Sequence, residues 1–160
     1  MRIFWNEIGT RFPGGTVWPQ ACSGFLEFYR ALNNPLEFGI ISSGHDLFIE
    51  KCFEVWGIEI PKIVVTDDLM RSRRCDNFSQ AERVKPGVGP FKIFCEEYKK
   101  LYAKNLNKDQ VLYIGDSAKM DDDFARNCKI SFILFNPNES DFKGKSISDW
   151  RELKEVILKK

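Results

Sequence analysis

The stretch VLYIGDSAKMDDDFA, residues 111 to 125, holds the densest grouping of side chains able to do chemistry. Val111, Leu112, Tyr113 and Ile114 form an apolar run that reads as a buried strand, and Gly115 ends it. Asp116 then stands at the strand's carboxyl end, and Asp121, Asp122 and Asp123 fall on the first turn of the helix that follows. In an open α/β sheet, ligands bind in the crevice beyond the carboxyl ends of the strands. Carboxylates placed there are hard oxygen ligands suited to Mg²⁺, and such an ion serves phosphate chemistry. An acidic loop and helix start with no ligand would look the same, because Asp favours both positions.

Two further segments point the same way. In FGIISSGHD, residues 38 to 46, an apolar strand ends in Ser42, followed by Ser43 and Gly44. A hydroxyl at a strand's carboxyl end can donate to a phosphoryl oxygen, and the backbone amides after it can do so at a helix start. In RVKPGVGPF, residues 83 to 91, Lys85 sits in a Pro/Gly-rich loop before a helix and can bring a mobile positive charge to a phosphate. Each segment alone is a common turn. Together they give hydroxyl, ammonium and carboxylates in chain order, each after or between strand–helix units.

These residues resemble the haloacid dehalogenase (HAD) superfamily of phosphohydrolases over residues 17 to 136. Ser42 matches its strand-end Ser/Thr. Lys85 with Pro86 matches its Lys-Pro, and Gly115-Asp116-Ser117 with Asp121 matches its acidic motif. The resemblance implies phosphate binding by Ser42, Ser43, Gly44 and Lys85, catalytic roles for Ser42 and Lys85, and Mg²⁺ held by Asp116 and Asp121. It implies a phosphorylated small molecule or macromolecule as partner. With no segment long enough for a cap domain, it implies the capless, open type.

The family's first motif, Asp-x-Asp-x-Thr, occurs nowhere in the chain. In IFWNEIGT, residues 3 to 10, Asn6 stands for the nucleophile, Ile8 for the acid/base and Thr10 for the threonine. An amide is a poor nucleophile and Ile8 transfers no proton. A second register competes: Met1, Phe4, Trp5, Ile8 and Phe12 recur at helical spacing, which would put the nucleophile upstream of Met1. The strand register is preferred, because the missing strand is central in the family's sheet and its loss would open the core. The expected protein is thus a phosphohydrolase-type domain without turnover as written, or a non-catalytic phosphate-, metal- or partner-binding pseudophosphatase.

The elements that must position these residues alternate. Helices are expected over 20 to 33, 46 to 56, 90 to 104, 118 to 127 and 148 to 158, and strands over 38 to 42, 63 to 65, 111 to 114 and 130 to 135. Alternation argues for one domain over residues 1 to 160, an α/β three-layer α/β/α sandwich with a Rossmann-like, mostly parallel sheet. Residues 66 to 83 read as a long polar loop with Arg71, Arg73, Arg74 and Arg83, able to face an anionic ligand or simply solvated. The lone histidine, His45, overhangs the Ser42 loop.

At 160 residues the chain is long enough for one α/β core. A formal charge of +1 provides no broad field for nucleic acid or an anionic membrane. No apolar run is long enough to span a bilayer. The five scattered cysteines read as free thiols in a reducing compartment, so the cytoplasm is expected.

Overall fold

The structure is a computed structural model that describes residues 20–32, 38–135 and 142–153. The candidate positions Asn6 and Ile8, and Ile157 of the last expected helix, lie outside the described residues. Among the described residues, five strands run β1 (Ile40–Ile41), β2 (Val64–Val65), β3 (Leu112–Gly115), β4 (Ser131–Phe135) and β5 (Ser146–Ile147). Six α-helices accompany them: α1 (Phe25–Ala31), α2 (Asp46–Trp56), α3 (Asp67–Arg71), α4 (Gln80–Arg83), α5 (Gly89–Tyr102) and α6 (Met120–Cys128).

Every strand pairing is parallel. Strands β1 and β2 form one sheet, and β3, β4 and β5 form another in that order. No strand of one sheet pairs with a strand of the other among the described residues. The two sheets nevertheless share both cores. Ile40, Ile114 and Ile133 point into a cluster with Phe25, Phe53 and Trp150. Ile41, Val65 and Tyr113 point the opposite way, into a cluster with Met70, Phe91 and Phe124. Side chains that alternate between two buried faces are what a parallel sheet covered by helices requires. The result is the expected α/β, Rossmann-like layering, with α1 and α2 on one face and α3, α5 and α6 on the other.

Local sequence explains the helix that follows Ser42. Ile49, Cys52, Phe53 and Trp56 recur at helical spacing and are all buried. Gly57 stops α2 in the left-handed region at φ 63°, a conformation glycine adopts without penalty. The first cluster is rich in aromatic rings, with Phe25 packed on Trp150 at 5.1 Å and on Trp56 at 5.7 Å between ring centroids. Such edge contacts add to the area buried.

Three expectations need correction. Residues 66 to 83 are not a loop: α3, a 3-10 turn at Arg73–Cys75 and α4 occupy most of the span. Thr66 caps α3 by accepting from the Leu69 amide, and Ser79 with Glu82 forms a capping box on α4. Met70, Cys75 and Phe78 anchor the segment in the second cluster. The first helix starts at Phe25, not at residue 20, because Gly24 precedes it in the left-handed region at φ 74°. Strand β5 is an addition: it pairs with β4 where the sequence predicts no strand.

Candidate functional site

Two groups of polar residues lie just beyond the carboxyl ends of β1 and β3. Ser42 directly follows β1, and its amide donates to the Val65 carbonyl at 2.9 Å, extending the pairing with β2. Its hydroxyl Oγ accepts from the Gly44 amide at 3.0 Å, which bends the chain into α2. Ser43 and His45 are exposed in the same turn.

Asp116 directly follows β3. Next to it lies a buried polar cluster. Asp121 is 0% exposed and Lys85 is 5% exposed. Lys85 Nζ donates to Asp121 Oδ1 at 2.6 Å and to the Tyr113 hydroxyl at 2.9 Å. Tyr113 in turn donates to the same Asp121 oxygen at 3.0 Å. The other oxygen, Oδ2, accepts from the amides of Asp116 at 3.1 Å and Ser117 at 3.0 Å. A carboxylate has about four lone-pair sites, and these four donors fill them. Burial alone would raise the Asp121 carboxyl. The Lys85 charge and the bonds from Lys85, Ser117 and Tyr113 outweigh it and hold the group below the ordinary carboxylate range.

The close packing depends on Gly115. A Cβ there would lie 2.4 Å from Asp121 Cβ and 2.5 Å from its Cγ. Only a residue without a side chain lets the end of β3 come this near the first turn of α6. Ser117 completes the turn by accepting from the Met120 amide at 3.0 Å.

The structure therefore gathers Lys85, Asp121 and the Asp116–Ser117 backbone, and it places Ser42, Ser43 and Gly44 in a second turn at the end of β1. Asp121, one of the two expected metal ligands, accepts four protein donors, and Asp116, the other, stands directly after β3 beside it. Among the described residues, no three His, Cys, Asp or Glu side chains group as a metal site. Tyr113 is a member of this cluster that strand periodicity hid. A tyrosine on a buried strand needs a partner for its hydroxyl, and that was the available signal.

Three of the four arginines in residues 66 to 83 are engaged within the protein. Arg71 pairs with Asp67 at 2.6 Å, Arg83 with Asp76 at 3.1 Å, and Arg74 with Glu97. They serve the helical segment before any ligand.

The fold has solved counterparts. It superposes on YfnB from Bacillus subtilis, assigned as a HAD-hydrolase and solved bound to magnesium. That match has a TM-score of 0.66 at 18% identity and covers 87% of this chain and 56% of that chain. It also superposes on a HAD phosphatase from Thermococcus onnurineus, with a TM-score of 0.59 at 18% identity, covering 82% and 54%. The chain has a HAD-like, Rossmann-type α/β fold, and it spans little more than half the length of either structure. No family model matches it, and no curated protein matches it by sequence. Among the described residues, no helix is long and apolar enough to cross a membrane.

Proposed function

We propose that this chain is a phosphoryl-binding domain of the Mg²⁺-dependent phosphate-monoester hydrolase lineage, without turnover as written. The observation that carries the reading is the buried Lys85–Asp121 pair, tied to the Asp116 turn at the end of β3. The pair holds the ammonium in place at the carboxyl end of β3, while the Ser42 hydroxyl and the Ser43 amide lie in the turn at the end of β1. Hydroxyl, amide and ammonium donors suit a phosphate monoester on a small molecule or a macromolecule.

Hydrolysis through a phospho-aspartate also needs an in-line carboxylate and a proton donor. Asn6 and Ile8, which stand at those positions in the strand register, supply neither. Mg²⁺, when bound, would offset phosphoryl charge. The described donor set, Asp116 alone, is incomplete for it. The five free thiols support a reducing compartment, the cytoplasm.

The alternative is a pseudophosphatase that binds a phosphorylated ligand or partner without chemistry. Release of phosphate from an aryl phosphate, with and without Mg²⁺, tests the absence of turnover, and a rescue variant tests its cause. Negligible turnover by the chain and partial rescue by Asn6→Asp with Ile8→Asp would support the degenerate-strand reading. Robust turnover by the unaltered chain would refute it.

A further inference from the structure

The turn that presents Ser42 is fastened from outside by α3. Helix α2 is preceded by His45 at its N-cap, whose backbone is extended and whose side chain makes no capping bond to that helix. The cap comes across space. Asp68 Oδ2 accepts from the Asp46 amide at 2.9 Å, and Asp68 Oδ1 meets His45 Nδ1 at 2.9 Å. The fully buried Thr66 donates its hydroxyl to Asp46 Oδ1 at 2.5 Å, and the Asp67 amide donates to the Gly44 carbonyl at 3.3 Å. Four hydrogen bonds thus run between residues 44–46 and 66–68.

We infer that α3 is a latch on the phosphoryl-binding turn, with Asp68 as its pin and His45 as the group that makes its hold depend on pH. The inference rests on the reading of Ser42–Gly44 as that turn. A carboxylate so near an anion site opposes binding by charge. The latch works by order: residues 44–46 held from four points lose little freedom when a ligand arrives.

The charged groups around His45 are Asp68, Asp67 and Arg71. The hydrogen bond that His45 donates to Asp68 and the Asp68 charge raise the imidazole above its ordinary value, and Arg71 opposes them. The bonds from His45 and the Asp46 amide lower Asp68. A raised histidine contributes fully below its unfolded value of about 6.5 and is lost as pH rises through the folded value. A lowered aspartate contributes above its unfolded value and is lost as pH falls through the folded one. The latch is therefore tightest where Asp68 is ionised and His45 protonated, and it slackens as pH rises through the folded His45 value.

The test uses sulfate, whose charge is constant over this pH range, titrated into the full chain by NMR. Amide exchange at Gly44 and Asp46 is read alongside. Asp68→Ala removes a negative charge from beside an anion site. Simple electrostatics predicts tighter sulfate binding. The latch predicts binding about two- to fivefold weaker, with faster exchange at Asp46. His45→Gln should flatten the pH dependence of sulfate affinity while leaving the Asp68–Asp46 bond protected. Tighter binding by Asp68→Ala, or loosened amides with unchanged affinity, would overturn the latch. Ser42→Ala isolates the underlying reading: if it leaves sulfate affinity unchanged, the turn is not the anion site and the proposal falls with it. In that case the shifted His45 titration in Asp68→Ala would still register the contact itself.

Discussion

Breaking the Lys85–Asp121 pair should destabilise the fold far more than breaking any surface ion pair on it. The side chains are 3% and 0% exposed, so neither charge can be rehydrated when its partner is removed. Lys85→Met leaves Asp121 with the Tyr113 hydroxyl and two amides but no counter-charge. Asp121→Asn is no milder. The new amide nitrogen, a donor, must face either the Lys85 ammonium or the Asp116 and Ser117 amides, all donors. Stranding one member of a buried pair costs about 3–5 kcal/mol, a large part of the about 5–15 kcal/mol that holds a typical domain. The double variant strands no charge, so its loss should be well below the sum of the single losses. Urea unfolding followed by circular dichroism gives all four free energies, and the cycle gives the coupling. Stability should also fall in acid. The Asp121 carboxyl is held low, so its contribution is complete above the ordinary value of about 3.9 and is lost as pH drops through the folded value. Lys85→Met should flatten that acid limb. Additive single losses below about 1 kcal/mol, the scale of exposed pairs, would refute the reasoning.

Two other perturbations follow from the same geometry. Titration calorimetry should show weak Mg²⁺ binding that Asp116→Ala removes; equal binding by both proteins would place the ion elsewhere. Gly115→Ala should lose at least about 1–3 kcal/mol through overpacking against Asp121, and a loss within about 0.5 kcal/mol, as for a surface change, would show that α6 can retreat.

The frame of the site was readable because it rests on local patterns. Apolar runs ending in Ser42 and Gly115 mark strand ends, and Gly57 marks the end of α2 to the residue. What could not be read depends on distance along the chain. Lys85 and Asp121 lie 36 residues apart, and nothing in either segment says that they bond each other. The helices within residues 66 to 83 are four and five residues long, too short for a periodic signal. The Ser79–Glu82 box and the apolar residues Met70, Cys75 and Phe78 were their only trace. Strand β5 has two residues and no pattern at all. The first motif stays a matter of sequence, because Asn6 and Ile8 lie outside the described residues.

The saturation of Asp121 has a bearing on how such chains drift over generations. Its four donors join β3, α6 and the Lys85 loop, so the residue supports folding whether or not any substrate is turned over. Gly115, Tyr113 and Lys85 share that duty. Selection against unfolding alone would preserve much of an acidic motif long after chemistry had lapsed. A lineage can thus keep the look of a hydrolase through its architecture. Decay of the trade itself would show first at exposed positions such as Ser43, where packing holds nothing in place.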